Sequence, residues 1–453
     1  MKIIVVGCGK IGSTIISNLV SEGHDVVAVD NSAEIVSNMT NIYDVMGVCG
    51  NGVDFDILEE AGVKDAELFV SVTGSDEFNM LSCYIAKKMG AKQTIARIRN
   101  PEYNDNGLAF LKQNLSLSMA INPELLVAKE LYNLLKLPSA AKVEMFSKRN
   151  FEMIELRLKP DSKLDGMNLI ELKKKYPYNY LVCAVKRDEN VYIPDGSFTL
   201  KQGDKIAVAA TISELMKFLK SIDMLQKQAR NVMILGASKT AFYLSKMLLA
   251  GGNNVKIIEK DVARCEEFAE HLPSAVIING DGAQQELLLE EGIGSMDAFV
   301  SLTGMDEQNI LISYFASSQN VPRVITKVNR DEFTSMADKL GLDSVISPRL
   351  STSSVIIRYA RALKNSLGSS METLYRFMDG DAEVMEFIVT ADCPIVNMPL
   401  KELKTQKNTL IAGIIRGRKT IVPSGDDVIL PNDNVIVVVS GNKIDNLTEI
   451  VFA

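Results

Sequence analysis

The 453-residue chain has no tryptophan, only two histidines and six cysteines. Two histidines, His24 and His271, are too few for a histidine-based metal cluster. The cysteines (Cys8, Cys49, Cys83, Cys183, Cys265, Cys393) form no C-x-x-C pair, so they offer no zinc ligand set and fit a reducing compartment. No apolar run approaches the roughly 20 residues that a membrane-spanning helix requires. Basic charge is outweighed, with 49 Lys and Arg against 57 Asp and Glu, which argues against a general nucleic-acid binder, since phosphate neutralisation needs a basic face. There is no Walker A sequence, and no Cys–His or Ser–His pairing stands out. Met1-Lys2-Ile3-Ile4-Val5-Val6-Gly7 runs straight into a strand and a turn without a cleavage pattern, so a soluble intracellular protein is expected. His24 falls between a helix and a strand and is expected to be an exposed loop residue.

What is present is written twice. Gly47–Leu81 aligns without gaps on Ile277–Leu311, and 14 of the 35 positions are identical. Chance at average composition gives roughly two or three. The strongest block sets Ser71-Val72-Thr73-Gly74-Ser75-Asp76-Glu77 over Ser301-Leu302-Thr303-Gly304-Met305-Asp306-Glu307. Ile193-Pro194-Asp195-Gly196 likewise matches Val422-Pro423-Ser424-Gly425. The period is far too long for a solenoid unit, so the chain is a duplicated two-domain module.

Within each half the pattern changes character. Continuous apolar strands (Ile3–Val6, Val26–Val29, Leu68–Val72, Thr94–Ile98) alternate with helical stretches, the mark of a parallel sheet covered on both faces. Residues 151–211 read instead as short antiparallel strands with one small helix, punctuated by Asp195-Gly196 and Gly203-Asp204 turns. The expected fold class is therefore α/β, with two Rossmann-like doubly wound domains, each followed by a small α+β domain. The expected divisions are 1–138, 139–225, 226–370 and 371–453, with Pro138-Ser139-Ala140 at the first boundary and Ser213–Arg230 as a helical connector.

Gly7-Cys8-Gly9-Lys10-Ile11-Gly12 is G-x-G-x-x-G between a predicted strand and a predicted helix. Gly7 permits the tight turn, Gly9 lets a pyrophosphate reach the backbone, and Gly12 allows close helix–strand packing. The helix N-terminus then faces the anion. Asp30 ends the next strand, where a carboxylate accepts bonds from a ribose diol and repels a 2′-phosphate, favouring NAD or adenosine nucleotides over NADP. Thr73-Gly74 lies at the same sheet edge, either as part of the site or as a turn shared by both halves. Arg97 reaches a phosphate or makes a surface ion pair; Lys10 is a phosphate-facing cation or a solvated lysine. Asn51 and Gly52 are placed near the adenosine. In the second half the turn is Gly236-Ala237-Ser238-Lys239-Thr240-Ala241, with Glu259 for Asp30, Thr303-Gly304 for Thr73-Gly74 and Lys327 for Arg97. Ser238 costs backbone access, so the first site is expected to hold NAD(H) more tightly. Asn122-Pro123-Glu124 starts a helix running to about Leu135 whose apolar face covers half its circumference; that face packs on its own domain or pairs modules.

These residues resemble the TrkA family, the cytosolic regulators of Trk-type potassium uptake built from tandem KTN/RCK modules. The resemblance rests on the Gly7–Gly12 turn, the Ser71–Met80 block, Ala96-Arg97-Ile98-Arg99-Asn100-Pro101-Glu102-Tyr103, and the Ile193–Gly196 turn. It implies a non-enzymatic peripheral protein on the inner face of the cell membrane, binding NAD(H) with ATP and ADP as regulatory ligands. It also implies a homotetrameric ring beneath a multi-spanning subunit of the TrkH/TrkG type. Matching the family's nucleotide pattern carries over Gly7 through Ile11, Asp30, Thr73, Gly74 and Arg97. Two other classes stay open: an NAD-dependent oxidoreductase, and a redox-sensing DNA-binding regulator, which the acidic balance disfavours.

Overall fold

The computed structural model describes residues 1–103, 106–136, 142–146, 151–225, 228–342, 344–364, 370–442, 444 and 446–451. The described residues form four sheets, in two matched pairs. In the first half, strands β1 (Lys2–Val6), β2 (Asp25–Asp30), β3 (Met46–Cys49), β4 (Leu68–Ser71), β5 (Gln93–Arg97) and β6 (Met119–Ile121) lie parallel in the order β3-β2-β1-β4-β5-β6. Ile3 to Val6 are buried on both faces, which is why β1 reads as an uninterrupted apolar run. The order reverses between β1 and β4, and that reversal opens the crevice discussed below.

The small sheet that follows is antiparallel: β7 (Lys142–Phe146), β8 (Phe151–Arg157), β9 (Tyr180–Arg187), β10 (Asn190–Tyr192) and β11 (Lys205–Thr211), ordered β10-β9-β11-β8-β7. Sequence patterning misses the edge strand β7, a five-residue segment with two charges. The second half repeats both sheets in the same order, β12 (Asn231–Leu235) to β17 (Ser344–Ile346) and then β18 (Ser370–Phe377) to β22 (Asn434–Ser440). The connector is shorter than expected. Its helix ends at Ser221, and Asp223 turns to a left-handed φ of 56°, which stops further helix. The expected boundary at Pro138-Ser139-Ala140 lies outside the described residues.

Four helices fix how the halves meet. Each half has a lead helix after its first strand (Lys10–Ser21; Lys239–Ala250) and a closing helix after its parallel sheet (Pro123–Lys136; Pro348–Lys364). Asn122 caps the first closing helix by accepting from the Leu125 N–H at 2.9 Å. Val127, Ala128, Leu131, Leu134 and Leu135 of that helix are buried in one core with Val232, Ile234, Leu244 and Leu248 of the second half. Reciprocally, Ile356, Ile357 and Ala360 of the second closing helix join Ile15, Ile16 and Leu19 of the first lead helix. The wide apolar face thus pairs modules within one chain, at roughly 1.5–3 kcal/mol for each buried leucine or valine. The two small sheets also share a core, where a Cβ on Gly413 would stand 2.7 Å from the Phe151 ring.

Charge clamps the same seam. Arg361 is 1 % exposed and donates to both oxygens of Glu22 at 2.7 Å and to Glu383 at 2.9 and 3.0 Å. Glu22 is drawn under the second half, and His24 in the same turn is buried, not exposed as its loop context suggests. Sequence alone shows the loop but not its burial in the folded chain.

Candidate functional site

The carboxyl ends of β1, β2, β4 and β5 bring Gly7, Asp30, Thr73 and Arg97 to one edge. Gly7 has φ +91°, and a Cβ there would meet Thr73 at 2.9 Å; at Gly12 a Cβ would fall 1.9 Å from the Gly7 carbonyl oxygen. Both glycines are required by this turn as the first half builds it. Gly9 is different. A Cβ at Gly9 meets nothing within 4 Å, and the lead helix it precedes has no side-chain cap. Its first-turn amides therefore open onto the crevice with the positive end of the helix dipole behind them.

Asp30 braces this turn, with Oδ2 accepting from the Cys8 N–H at 2.8 Å and Oδ1 from the Ser32 N–H at 3.0 Å. A carboxylate has about four acceptor positions, so two remain for ribose hydroxyls. Cys8 contributes only backbone: its thiol is buried, and burial together with Asp30 pushes its pKa up to about 12. Ile11 packs its side chain toward the first-half core, and Lys10 is exposed. Asn51 is exposed and folds back to accept from Val53 N–H, whereas Gly52 is buried against Val6 and its carbonyl accepts from Ser82 Oγ at 2.6 Å. Gly52 therefore shapes the loop rather than presenting atoms to a ligand.

Thr73 is engaged in a clip that sequence reasoning missed. Asn79 Oδ1 accepts from Thr73 N–H at 2.8 Å, Thr73 Oγ1 at 2.7 Å and Ser71 Oγ at 3.0 Å, while Asn79 Nδ2 donates to the Arg97 carbonyl at 2.9 Å. Ser301, Thr303, Asn309 and Lys327 repeat the clip. Asp76 accepts from the Arg99 and Asn100 amides, as Asp306 does from Asn329 and Arg330. The shared-turn reading of the Thr-Gly block explains these bonds. The signal was present, because Asp76 and Asn79 sit among the identical positions. Gly74 is exposed, and its carbonyl accepts from the Arg99 guanidinium at 2.6 Å.

Arg97 makes no surface ion pair. Its side chain is buried and donates to the Thr73 carbonyl, and its Nε has no hydrogen-bond partner. Burial and the adjacent Arg99 pull its pKa down, against Glu124 and Asp76. An orphaned guanidinium nitrogen, an uncapped helix and open space at Gly9 fit a phosphate-bearing ligand at this edge.

The second crevice is built alike but closed at the same point. Gly236 has φ +95°, and Glu259 accepts from Ala237 N–H at 2.6 Å and from Asp261 N–H at 2.9 Å. Ser238 caps its own helix, accepting from Ala241 N–H at 3.3 Å. Thr240 and Ala237 are buried, Lys239 and Gly304 are exposed, and Lys327 donates to the Leu302 carbonyl. Burial pulls the Lys327 pKa down; Asp306 and the first half's Glu124 oppose it. Glu124 also stands 3.9 Å from Arg99, so one carboxylate serves cations of both edges.

Residues 3–123 and 232–348 match the TrkA-N domain, and 153–223 and 384–451 the TrkA-C domain. The "Trk system potassium uptake protein TrkA homolog" of Archaeoglobus fulgidus is 32% identical over 450 residues, covering 99% of this chain and 100% of that protein. The "Trk system potassium uptake protein TrkA" of Vibrio alginolyticus is 29% identical, covering 100% and 98%. Among solved structures, "GsuK channel bound to NAD" superimposes with a TM-score of 0.63 at 15% identity, covering 97% of this chain and 77% of that one, a likeness of fold. The chain belongs to the TrkA family of Trk system potassium uptake proteins, with two TrkA-N and two TrkA-C domains in tandem.

Proposed function

We propose that this chain is a nucleotide-binding regulatory subunit of a potassium uptake system. The observation that carries the reading is the open, uncapped helix N-terminus at Gly9, flanked by Asp30 and the orphaned Arg97 Nε. NAD(H) sits with its pyrophosphate on the Gly7-Cys8-Gly9-Lys10-Ile11-Gly12 turn and its adenosine ribose at Asp30, beside Asn51 and Gly52. Thr73, Gly74 and Arg97 line the opposite wall. The second crevice, at Gly236 to Thr240, Glu259, Thr303, Gly304 and Lys327, takes nucleotide more weakly because Ser238 already uses an amide there.

ATP and ADP are competing regulatory ligands. They share the adenosine with NADH but differ beyond the second phosphate, where differential contact shifts the arrangement of modules. The chain acts without catalysis, at the inner face of the cell membrane, as a homotetramer beneath a multi-spanning subunit of the TrkH/TrkG type. Its four units are 1–138, 139–225, 226–370 and 371–453. The relatives' names, which place them in Trk potassium uptake, and GsuK structures described with NAD and ADP support this reading. No helix among the described residues is long and apolar enough to cross a membrane, so contact with one falls to a partner.

The test is calorimetry of NADH and ATP with the purified chain, followed by its capture on membranes carrying the transport subunit. Saturable NADH binding and nucleotide-dependent capture are expected. Failure to bind either nucleotide refutes the reading. Turnover of NADH with a hydroxy or keto acid establishes an oxidoreductase instead, and a low-salt gel shift a DNA-binding regulator.

A further inference from the structure

The first crevice is hydrogen-bonded to the helix that builds the second. Tyr243 lies one turn into the second lead helix, just past the Gly236–Ala241 turn, and is buried. Its hydroxyl crosses the seam between the halves, donating to the Arg99 carbonyl at 3.2 Å and accepting from Asn122 Nδ2 at 3.1 Å. Arg99 follows β5 of the first half. Its guanidinium holds the Gly74 carbonyl at 2.6 Å, and its amide is held by Asp76 at 2.8 Å. One unbroken chain of bonds therefore runs from Gly74, at the mouth of the first crevice, through Arg99 to the second lead helix.

The link is one-sided. The residue matching Tyr243 in the first half is Thr14, whose hydroxyl stays within its own helix on the Lys10 carbonyl at 3.2 Å. Among the described residues, no hydroxyl of that lead helix's first turn makes a reciprocal bond to the matching loop of the second half, Asn329-Arg330, whose amides are held by Asp306. Duplication supplied two crevices, and this tyrosine ties them in one direction.

We propose that Tyr243 is the positioning residue that passes ligand occupancy at the first crevice into the second lead helix. A phosphate at the first edge competes with the Gly74 carbonyl for the Arg99 guanidinium, since charge-assisted bonds to anions are the stronger ones. Moving Arg99 moves its carbonyl, and the buried hydroxyl follows or loses its acceptor. Coupling of this kind needs an element with two arrangements that both sites bias, and the Arg99 loop with the second lead helix is that element. The inference rests on the nucleotide reading above.

Hydrogen–deuterium exchange with and without NADH, at a concentration that fills the tighter first crevice and leaves the weaker second one empty, tests it in the full chain, in Tyr243→Phe and in Gly9→Val. Phenylalanine keeps the ring and its packing and removes only the hydroxyl. In the unaltered chain NADH is expected to change exchange at 7–12, 97–100 and 239–250, by about 3- to 10-fold at 239–250. In Tyr243→Phe the changes at 7–12 and 97–100 persist and that at 239–250 is lost. In Gly9→Val all three are lost, which shows that the effect at 239–250 originates in the first crevice. An effect at 239–250 that survives in Tyr243→Phe or in Gly9→Val, or that never occurs in the unaltered chain, overturns the proposal. No change at 7–12 in the unaltered chain overturns the nucleotide reading and the coupling with it.

Discussion

The two glycine turns differ at the helix cap, Gly9 against Ser238, and a reciprocal exchange tests whether that position is the phosphate cradle. Gly9 has φ −65° and ψ −166°; Ser238 has φ −85° and ψ 164°. Both are ordinary extended conformations for an L-residue, and a Cβ at Gly9 has open space around it. Gly9→Ser is therefore expected to fold as the parent does and to cap its helix as Ser238 does, accepting from the residue-12 amide. Cap preference for serine over glycine is worth only a few tenths of a kcal/mol, so stability hardly changes.

Ligand binding does change. A phosphate loses one amide and meets a side chain where the backbone was bare. A hydrogen bond to a charged group is worth about 1.5–3 kcal/mol, which converts to a 10- to 150-fold loss of NADH affinity. Ser238→Gly frees the Ala241 amide and tightens the second site by a similar factor. Isothermal titration on both variants, with thermal unfolding as the folding control, decides it. A Gly9→Ser chain that binds NADH as tightly as the parent refutes the argument, because the uncapped turn would then not be the phosphate cradle. Gly12 gives no such clean test: its added Cβ would collide with the Gly7 carbonyl and break the turn.

Other outcomes follow from buried charge and burial alone. Arg361→Met leaves Glu22 and Glu383 buried with Arg376 as their remaining arginine, and removing one partner of a buried ion pair costs about 3–5 kcal/mol; a loss under about 1 kcal/mol in urea unfolding would contradict the clamp. Glu152 occupies the ladder place of Glu383, but Met145 stands across from it where Arg376 stands across from Glu383, and burial pushes its carboxyl up to about 7. A carboxyl raised on folding favours the folded state less as pH climbs from about 4.5 to 7, so Glu152→Gln should match the parent near pH 4.5 and exceed it by up to about 3 kcal/mol at pH 8. Parallel thermal-stability profiles for the two proteins across that range would sink this. Iodoacetamide at pH 8 should alkylate the exposed Cys49 well before the buried Cys8, and NADH should slow it because Cys49 pairs with Asp30 at the crevice rim; peptide mapping that finds Cys8 first would disprove the burial argument.

Periodicity made the parallel sheets legible, because strands buried on both faces carry uninterrupted apolar runs and their turns carry glycine. It also marked the closing helix, through Asn122-Pro123 and a wide apolar face, though not where that face would go. The edge strand β7 was invisible, since five residues with two charges show neither alternation nor a run. His24 was misread because its loop context gives no sign of burial, although Glu22, two residues earlier, is held from more than 300 residues away by Arg361.

The candidate site divides in the same way, and the division has a physical cause. Positions identical in both halves, Ser71, Thr73, Asp76 and Asn79 with their partners 230 residues on, proved to be the hydrogen-bond clips of both sheet edges. Two copies of one fold keep the same structural bonds because each must fold. Where the copies differ, the same fold tolerates either residue: Gly9 leaves one helix uncapped where Ser238 caps the other, and Tyr243 bonds across the seam where Thr14 bonds within its own helix. Internal identity therefore marks the bonds that hold each crevice edge, and internal difference marks where the two crevices are built differently.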